Sequence, residues 1–183
     1  MQLPSLLQLK RLGGNIMRVL VVCYSRTGNT RRVAEALVEA LRRRNCNPTL
    51  EEIVERKDRD GLLGLFRAGA DATFNRETEI EDIKSDVAEF DVVVVGTPVW
   101  AFTAAPAVTT FLRRYGGKIK KAAFFCTLGA KGAKRALAKM RNVSGKQPLA
   151  EAAFYAKSIK KGDFAKQVED FAQSLIEKAA EEG

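Results

Sequence analysis

A chain of 183 residues, 46% of them hydrophobic, is long enough for one well-packed domain and short for two. It has no histidine, which excludes serine–histidine and cysteine–histidine nucleophilic catalysis and any histidine-based metal centre. Its three cysteines, Cys23, Cys46 and Cys126, are too scattered for an iron–sulfur cluster, a zinc site or a disulfide framework, so a reducing cytoplasmic setting is expected.

The net charge of +9 is unevenly spread. Arg113 to Lys161 carries fourteen Lys or Arg against one acid, Glu151, whereas Glu51 to Asp91 carries thirteen acids against six bases. Such asymmetry favours docking with an acidic partner, although solvated helix faces give the same pattern.

Residues 1–16 hold Leu3, Leu6, Leu7, Leu9 and Leu12 before Gly13-Gly14. That apolar stretch is too short and interrupted for a secretory signal, and it reads as an N-terminal extension to a domain over 17–183. No apolar run in the chain reaches the roughly 18–20 residues needed to span a bilayer.

The first strand is predicted from the apolar run Arg18-Val19-Leu20-Val21-Val22-Cys23-Tyr24. Ser25-Arg26-Thr27-Gly28-Asn29-Thr30 follows, and then a helix marked by Val33, Ala34, Leu37, Val38 and Leu41 at helical spacing. A turn between a strand's carboxyl end and a helix's first residues offers unpaired N–H groups beside the positive end of the helix dipole. Ser25, Thr27 and Thr30 add three hydroxyls, and Gly28 removes a Cβ from the approach. The turn lacks the three glycines of a dinucleotide loop and the Gly-Lys of a P-loop. An ordinary strand-to-helix turn, with Asn29 or Thr30 as N-cap, is the simpler alternative.

A second strand is expected around Thr49 to Val54, followed by a long connection from Glu55 to about Ile80. Its apolar, glycine-broken piece Gly61 to Ala70 suggests a weak helix or lid, or a segment packed at the sheet edge or in a dimer interface. A helical stretch is predicted around Ile83 to Glu89. The third strand is Asp91 to Gly96, whose four consecutive valines imply burial on both faces. It leads into the loop Thr97-Pro98-Val99-Trp100-Ala101-Phe102 and a helix with Val108, Phe111 and Leu112. The fourth strand, Lys121 to Cys126, precedes the loop Thr127-Leu128-Gly129-Ala130-Lys131-Gly132 and a basic helix to about Met140. A fifth strand is expected around Glu151 to Ala156, and Phe164, Val168, Phe171 and Leu175 mark the last helix.

Five strand–helix alternations predict a doubly wound α/β domain with a five-stranded parallel sheet in the order 2-1-3-4-5 and helices on both faces. The loops after strands 1, 3 and 4 then meet at one edge, beside the strand 1/strand 3 switch point. Trp100, the only tryptophan, stands there on a loop stiffened by Pro98 and Pro106; core packing is its competing role.

The Ser-x-Thr-Gly-Asn-Thr turn and the Gly-Thr-Pro-Val-Trp stretch together resemble the short-chain flavodoxin family over about Met17 to Ala180. The resemblance implies non-covalent FMN, with its phosphate on Ser25, Arg26, Thr27, Gly28, Asn29 and Thr30. Its ring would lie along Thr97, Pro98, Val99, Trp100, Ala101 and Phe102, with Thr127, Leu128, Gly129, Lys131 and Gly132 on its other side or pyrimidine edge. Lys131 is expected to favour the anionic reduced flavin. The function expected first is electron carriage to a redox partner protein, with no catalytic side chain and no metal. The second reading is an FMN-dependent oxidoreductase, such as a quinone reductase or protoporphyrinogen-oxidising enzyme. The chain departs from flavodoxin carriers in being basic and in lacking a second aromatic in the third loop, which leaves the ring open to a small-molecule acceptor. No nucleic-acid partner is expected, and either a monomer or a homodimer fits.

Overall fold

The computed structural model describes residues 16–56 and 78–182. The readings made for residues 1–15 and for the Gly61 to Ala70 piece therefore lie outside the described residues.

The elements follow in order β1 (Arg18–Cys23), α1 (Asn29–Arg42), β2 (Asn47–Glu52), β3 (Val92–Trp100), β4 (Thr103–Ala104), α2 (Pro106–Tyr115), β5 (Lys121–Leu128), α3 (Ala133–Ser144), β6 (Pro148–Tyr155), α4 (Ala156–Lys161) and α5 (Ala165–Glu181). The sheet order is β2-β1-β3-β5-β6, all parallel, with the two-residue β4 antiparallel to β3. The five parallel strands carry the expected 2-1-3-4-5 order, and β4 is the addition.

Both faces of the sheet are covered, as the unalternating valines require. Val19, Val21, Cys23, Val92, Val94 and Phe125 pack under α1 and α5 with Val33, Leu37, Val168, Phe171 and Leu175. Their strand neighbours Leu20, Val22, Val93, Val95, Phe124 and Cys126 pack under α2 and α3 with Val108, Phe111, Leu112, Leu137 and Met140. Each fully buried side chain of this size contributes about 1.5–3 kcal/mol relative to exposure. Register is thereby fixed, because a slip of one residue would swap every side chain between two differently shaped cores.

Two expectations change. The stretch around Ile83 to Glu89 holds a single 3-10 turn, Val87–Glu89, capped by the Asp86 carboxylate accepting from the Ala88 N–H at 3.1 Å. Val87 and, beyond the turn, Phe90 are buried in the core there and Ile83 packs partly against it, too few apolar contacts to support a longer helix. The third strand also does not stop at Gly96. It runs on to Trp100, since β5 continues to pair with it through Thr97↔Cys126 and Pro98↔Thr127 after the ladder with β1 has ended at Cys23↔Gly96. Proline is tolerated at this position because β3 has lost one of its two neighbours.

Candidate functional site

The turn after β1 is built around Gly28. It is the N-cap of α1 with φ 84°, a left-handed conformation that glycine adopts without steric cost. The N-cap is thus Gly28 rather than Asn29 or Thr30, and Asn29 is the first helical residue. Gly28 itself supplies no side-chain cap. The first α1 bonds are Arg32 N–H to Gly28 O at 2.9 Å and Arg31 N–H to Ser25 Oγ at 3.2 Å. Apart from the Arg31 N–H taken by Ser25, the first turn, flanked by exposed Arg26 and Thr27, presents donors and the positive end of the helix dipole together. This donor set fits a phosphate monoester.

Thr30, expected among the phosphate ligands, is buried against the third loop. It is 2% exposed, and its hydroxyl lies 2.8 Å from that of Thr127, itself 4% exposed. The two hydroxyls share one hydrogen bond across the gap between the first and third loops, whereas Thr27 is exposed and Ser25 half-buried.

The second loop is a hairpin. Val99 pairs with Ala104 and Trp100 with Thr103, leaving Ala101-Phe102 as a two-residue turn. Both have positive φ, 43° and 64°, the sign pattern of a type I′ turn that favours Asn-Gly. Alanine and phenylalanine in that region cost about 1–3 kcal/mol each and persist only where the surroundings hold them. Thr97, fully buried, supplies one restraint: its hydroxyl accepts the Ala105 N–H and donates to the Pro98 carbonyl, both at 3.0 Å. Gly132 supplies another. A Cβ there would stand 2.8 Å from both Phe102 Cα and Val99 Cγ1, so only glycine lets the third loop close against the hairpin. Gly132, at φ 110°, is also the N-cap of α3.

The three loops are therefore physically joined: first to third through Thr30 and Thr127, second to third through Gly132. Trp100 is half-buried, and the Arg26 guanidinium of the first loop lies 5.9 Å from its ring centroid. Pro98 and Val99 are also half-buried beside it, Leu128 is buried in the core, and Ala101, Phe102, Gly129 and Lys131 are exposed.

Two residues of this neighbourhood escaped the sequence reading of the site. Tyr24, 8% exposed, meets Trp100 edge-on with ring centroids 5.5 Å apart and planes at 83°. Its hydroxyl donates to Glu55 at 2.9 Å. Tyr24 sits within the apolar run, where an aromatic reads as core, and Glu55 lies 31 residues away, so no local spacing linked them.

The free cysteines Cys23 and Cys126 are buried. Burial pushes the Cys23 and Cys126 thiols up to about 12, leaving essentially no thiolate near neutrality. Among the described residues no cluster of acids and cysteines is placed to hold a metal ion, and no helix is long and apolar enough to cross a membrane.

The fold is shared with several proteins of known structure. A flavoprotein in complex with FMN from Lactobacillus acidophilus NCFM is 20% identical, with TM-score 0.60 over 79% of this chain and 97% of that one. A flavodoxin from the domain Archaea is 16% identical, with TM-score 0.55 over 87% and 99%. A flavone reductase is 13% identical, with TM-score 0.61 over 89% of this chain and 63% of that one. Comparison with curated proteins gives no match. The family model described as NADPH-dependent FMN reductase matches residues 17–155, which include all three loops. The chain belongs to the NADPH-dependent FMN reductase family, and FMN is its cofactor.

Proposed function

We propose that the protein is an FMN-dependent oxidoreductase that takes a hydride from NADPH and passes two electrons to a small planar acceptor such as a quinone. FMN held by the three loops would supply the hydride- and electron-transfer chemistry. Overall, NADPH becomes NADP⁺, and the acceptor gains two electrons, the hydride's proton and one proton from solvent.

In this reading the first loop holds the phosphate through Ser25, Thr27, Arg26 and the backbone of Gly28, Asn29 and Thr30. The hairpin lays Trp100 and its neighbours Pro98, Val99, Ala101 and Phe102 along the ring. Thr127, Leu128 and Gly129 border its other side, with Lys131 at the pyrimidine edge. The observation that carries the choice of an enzyme is the third loop. It brings no aromatic side chain to the site, while Phe102 stands 57% exposed at the hairpin tip. An open ring face beside an exposed aromatic suits a planar acceptor that enters and leaves.

The second reading, electron carriage to a partner protein, is favoured by the basic surface. Lys131, Lys134 and Arg135 are exposed around the start of α3, whose first turn has no acid, and such a rim attracts an acidic partner. The test is turnover. Protein loaded with FMN and mixed with NADPH and a soluble quinone should oxidise NADPH catalytically, with no second protein added. If NADPH leaves the flavin oxidised while a separate reductase reduces it readily, the carrier reading replaces the enzyme reading.

A further inference from the structure

We propose that Tyr24 and Glu55 are positioning residues for the flavin site: together they fix the plane of the Trp100 ring. This rests on the placement of Trp100 along the flavin given above, and it adds two residues that act through Trp100.

The chain of contacts begins in the backbone. Tyr24 follows the last residue of β1, and its N–H donates to Gly96 O at 3.2 Å, locking it to β3 four residues before Trp100. Its ring then meets Trp100 nearly perpendicular, at 83°, an arrangement in which the positive ring edge faces the negative ring face. Such a contact restrains a ring only if the partner is itself held. Tyr24 is held at its far end, where its hydroxyl donates to Glu55 Oε2 at 2.9 Å. Burial and the neighbouring carboxylate both raise the Tyr24 phenol above its ordinary range, so it remains a donor throughout the working pH range.

Glu55 is fixed in turn. It forms an antiparallel bridge with Ile80, which is 1% exposed. The flanking backbone bonds Arg56 N–H to Glu79 O at 2.9 Å and Glu81 N–H to Val54 O at 2.8 Å close the bridge on both sides. The carboxylate thus projects from a clamped backbone rather than from a free loop. A bond from a phenol to an ionised carboxylate is among the stronger side-chain hydrogen bonds. Arg26 over the Trp100 ring adds a restraint from the first loop. Trp100 is positioned from β1, from the segment after β2 and from the phosphate loop at once.

The uniqueness of Trp100 makes the test direct, because all tryptophan emission comes from this ring. Tyr24→Phe keeps the edge contact and deletes the hydroxyl. Glu55→Ala deletes the acceptor, and Glu55→Gln retains a neutral one. Each variant is titrated with FMN while Trp100 emission and flavin fluorescence are followed, and folding is checked by far-UV circular dichroism. Tyr24→Phe and Glu55→Ala should each shift Trp100 emission in the FMN-free protein and weaken FMN about 3- to 10-fold. Glu55→Gln should restore most of the affinity. The double variant should be no weaker than Glu55→Ala alone, because both changes break the same bond. Folded variants with unchanged Trp100 emission and unchanged FMN affinity would overturn the proposal, as would lost stability with an unmoved emission. Failure of the wild-type protein itself to bind FMN would instead overturn the flavin placement, and the positioning role with it.

Discussion

The hydroxyls of Thr30 and Thr127 lie 2.8 Å apart in a buried position, although 97 residues separate them in sequence. One stands in the first turn of α1 and the other near the end of β5, so the bond ties the proposed phosphate end of the site to its third loop. Removing one partner leaves the other buried and unsatisfied, at about 1–3 kcal/mol, whereas removing both with shape-matched valines is closer to neutral. Thr30→Val and Thr127→Val should each lower stability by about that amount, and the double variant should cost less than their sum. A double-mutant cycle from urea unfolding measures the coupling. Strict additivity would show that the two hydroxyls are not bonded in solution.

Gly132→Ala should act on the site rather than on the core. The new Cβ meets Phe102 Cα and Val99 Cγ1 at 2.8 Å, and φ 110° is unfavourable for any residue with a Cβ. The third loop or the hairpin must shift, because Phe102 Cα is backbone and cannot rotate away. The outcome expected is a loss of FMN affinity of about tenfold or more, with a smaller loss of stability than a core overpacking, since Phe102 and the loop beside it are exposed. Isothermal titration with FMN, set beside thermal unfolding, separates the two effects.

The fold was legible because its signals are continuous. The four valines of β3 signalled a strand covered on both sides, and right-handed crossovers left few orders for the parallel strands, among them the flavodoxin-like one observed. The site was legible as three loops and only partly as chemistry. Ala101-Phe102 carries no turn signal, because the left-handed conformation of these two residues is imposed by Thr97 and Gly132 from outside the turn. The pairing of Thr30 with Thr127, and that of Tyr24 with Glu55, joins positions whose sequence separation has no period. Only the register of the sheet brings them together.

Lys131 offers a test of the electrostatics proposed for the pyrimidine edge. It is exposed on the third loop, one residue before the N-cap of α3. A cation there should favour the reduced, anionic flavin, so Lys131→Ala should lower the two-electron potential. The expected shift is about 10–30 mV, the range that corresponds to about 0.5–1.4 kcal/mol for a two-electron couple. The shift should shrink in high salt, because the side chain is exposed and screened. A potential that stays put in low-salt buffer would remove Lys131 from the site.

Far from the site, Glu169 of α5 joins Arg43 and Arg44, at and just beyond the end of α1, through hydrogen-bonded ion pairs to both. The hydrogen bond from Arg43, followed by that from Arg44, holds the Glu169 carboxyl below its ordinary value despite an opposing desolvation. A carboxylate with a depressed native pKa binds fewer protons folded than unfolded. Its contribution is therefore fully present above the unfolded value of about 4.3 and is lost as pH falls through the native value. Wild type should exceed Glu169→Gln in stability at pH 7, and the difference should close on acidification below about pH 4. Its size should be modest, because Glu169 and Arg43 are partly exposed, with 34% and 60% of their side-chain surface accessible. Urea midpoints measured for both proteins from pH 7 to pH 3 decide it. Parallel curves would mean that the α1–α5 contact is held by the apolar packing of Val33, Leu37, Val168 and Phe171 alone, and that the ion pairs lie over it without energetic effect.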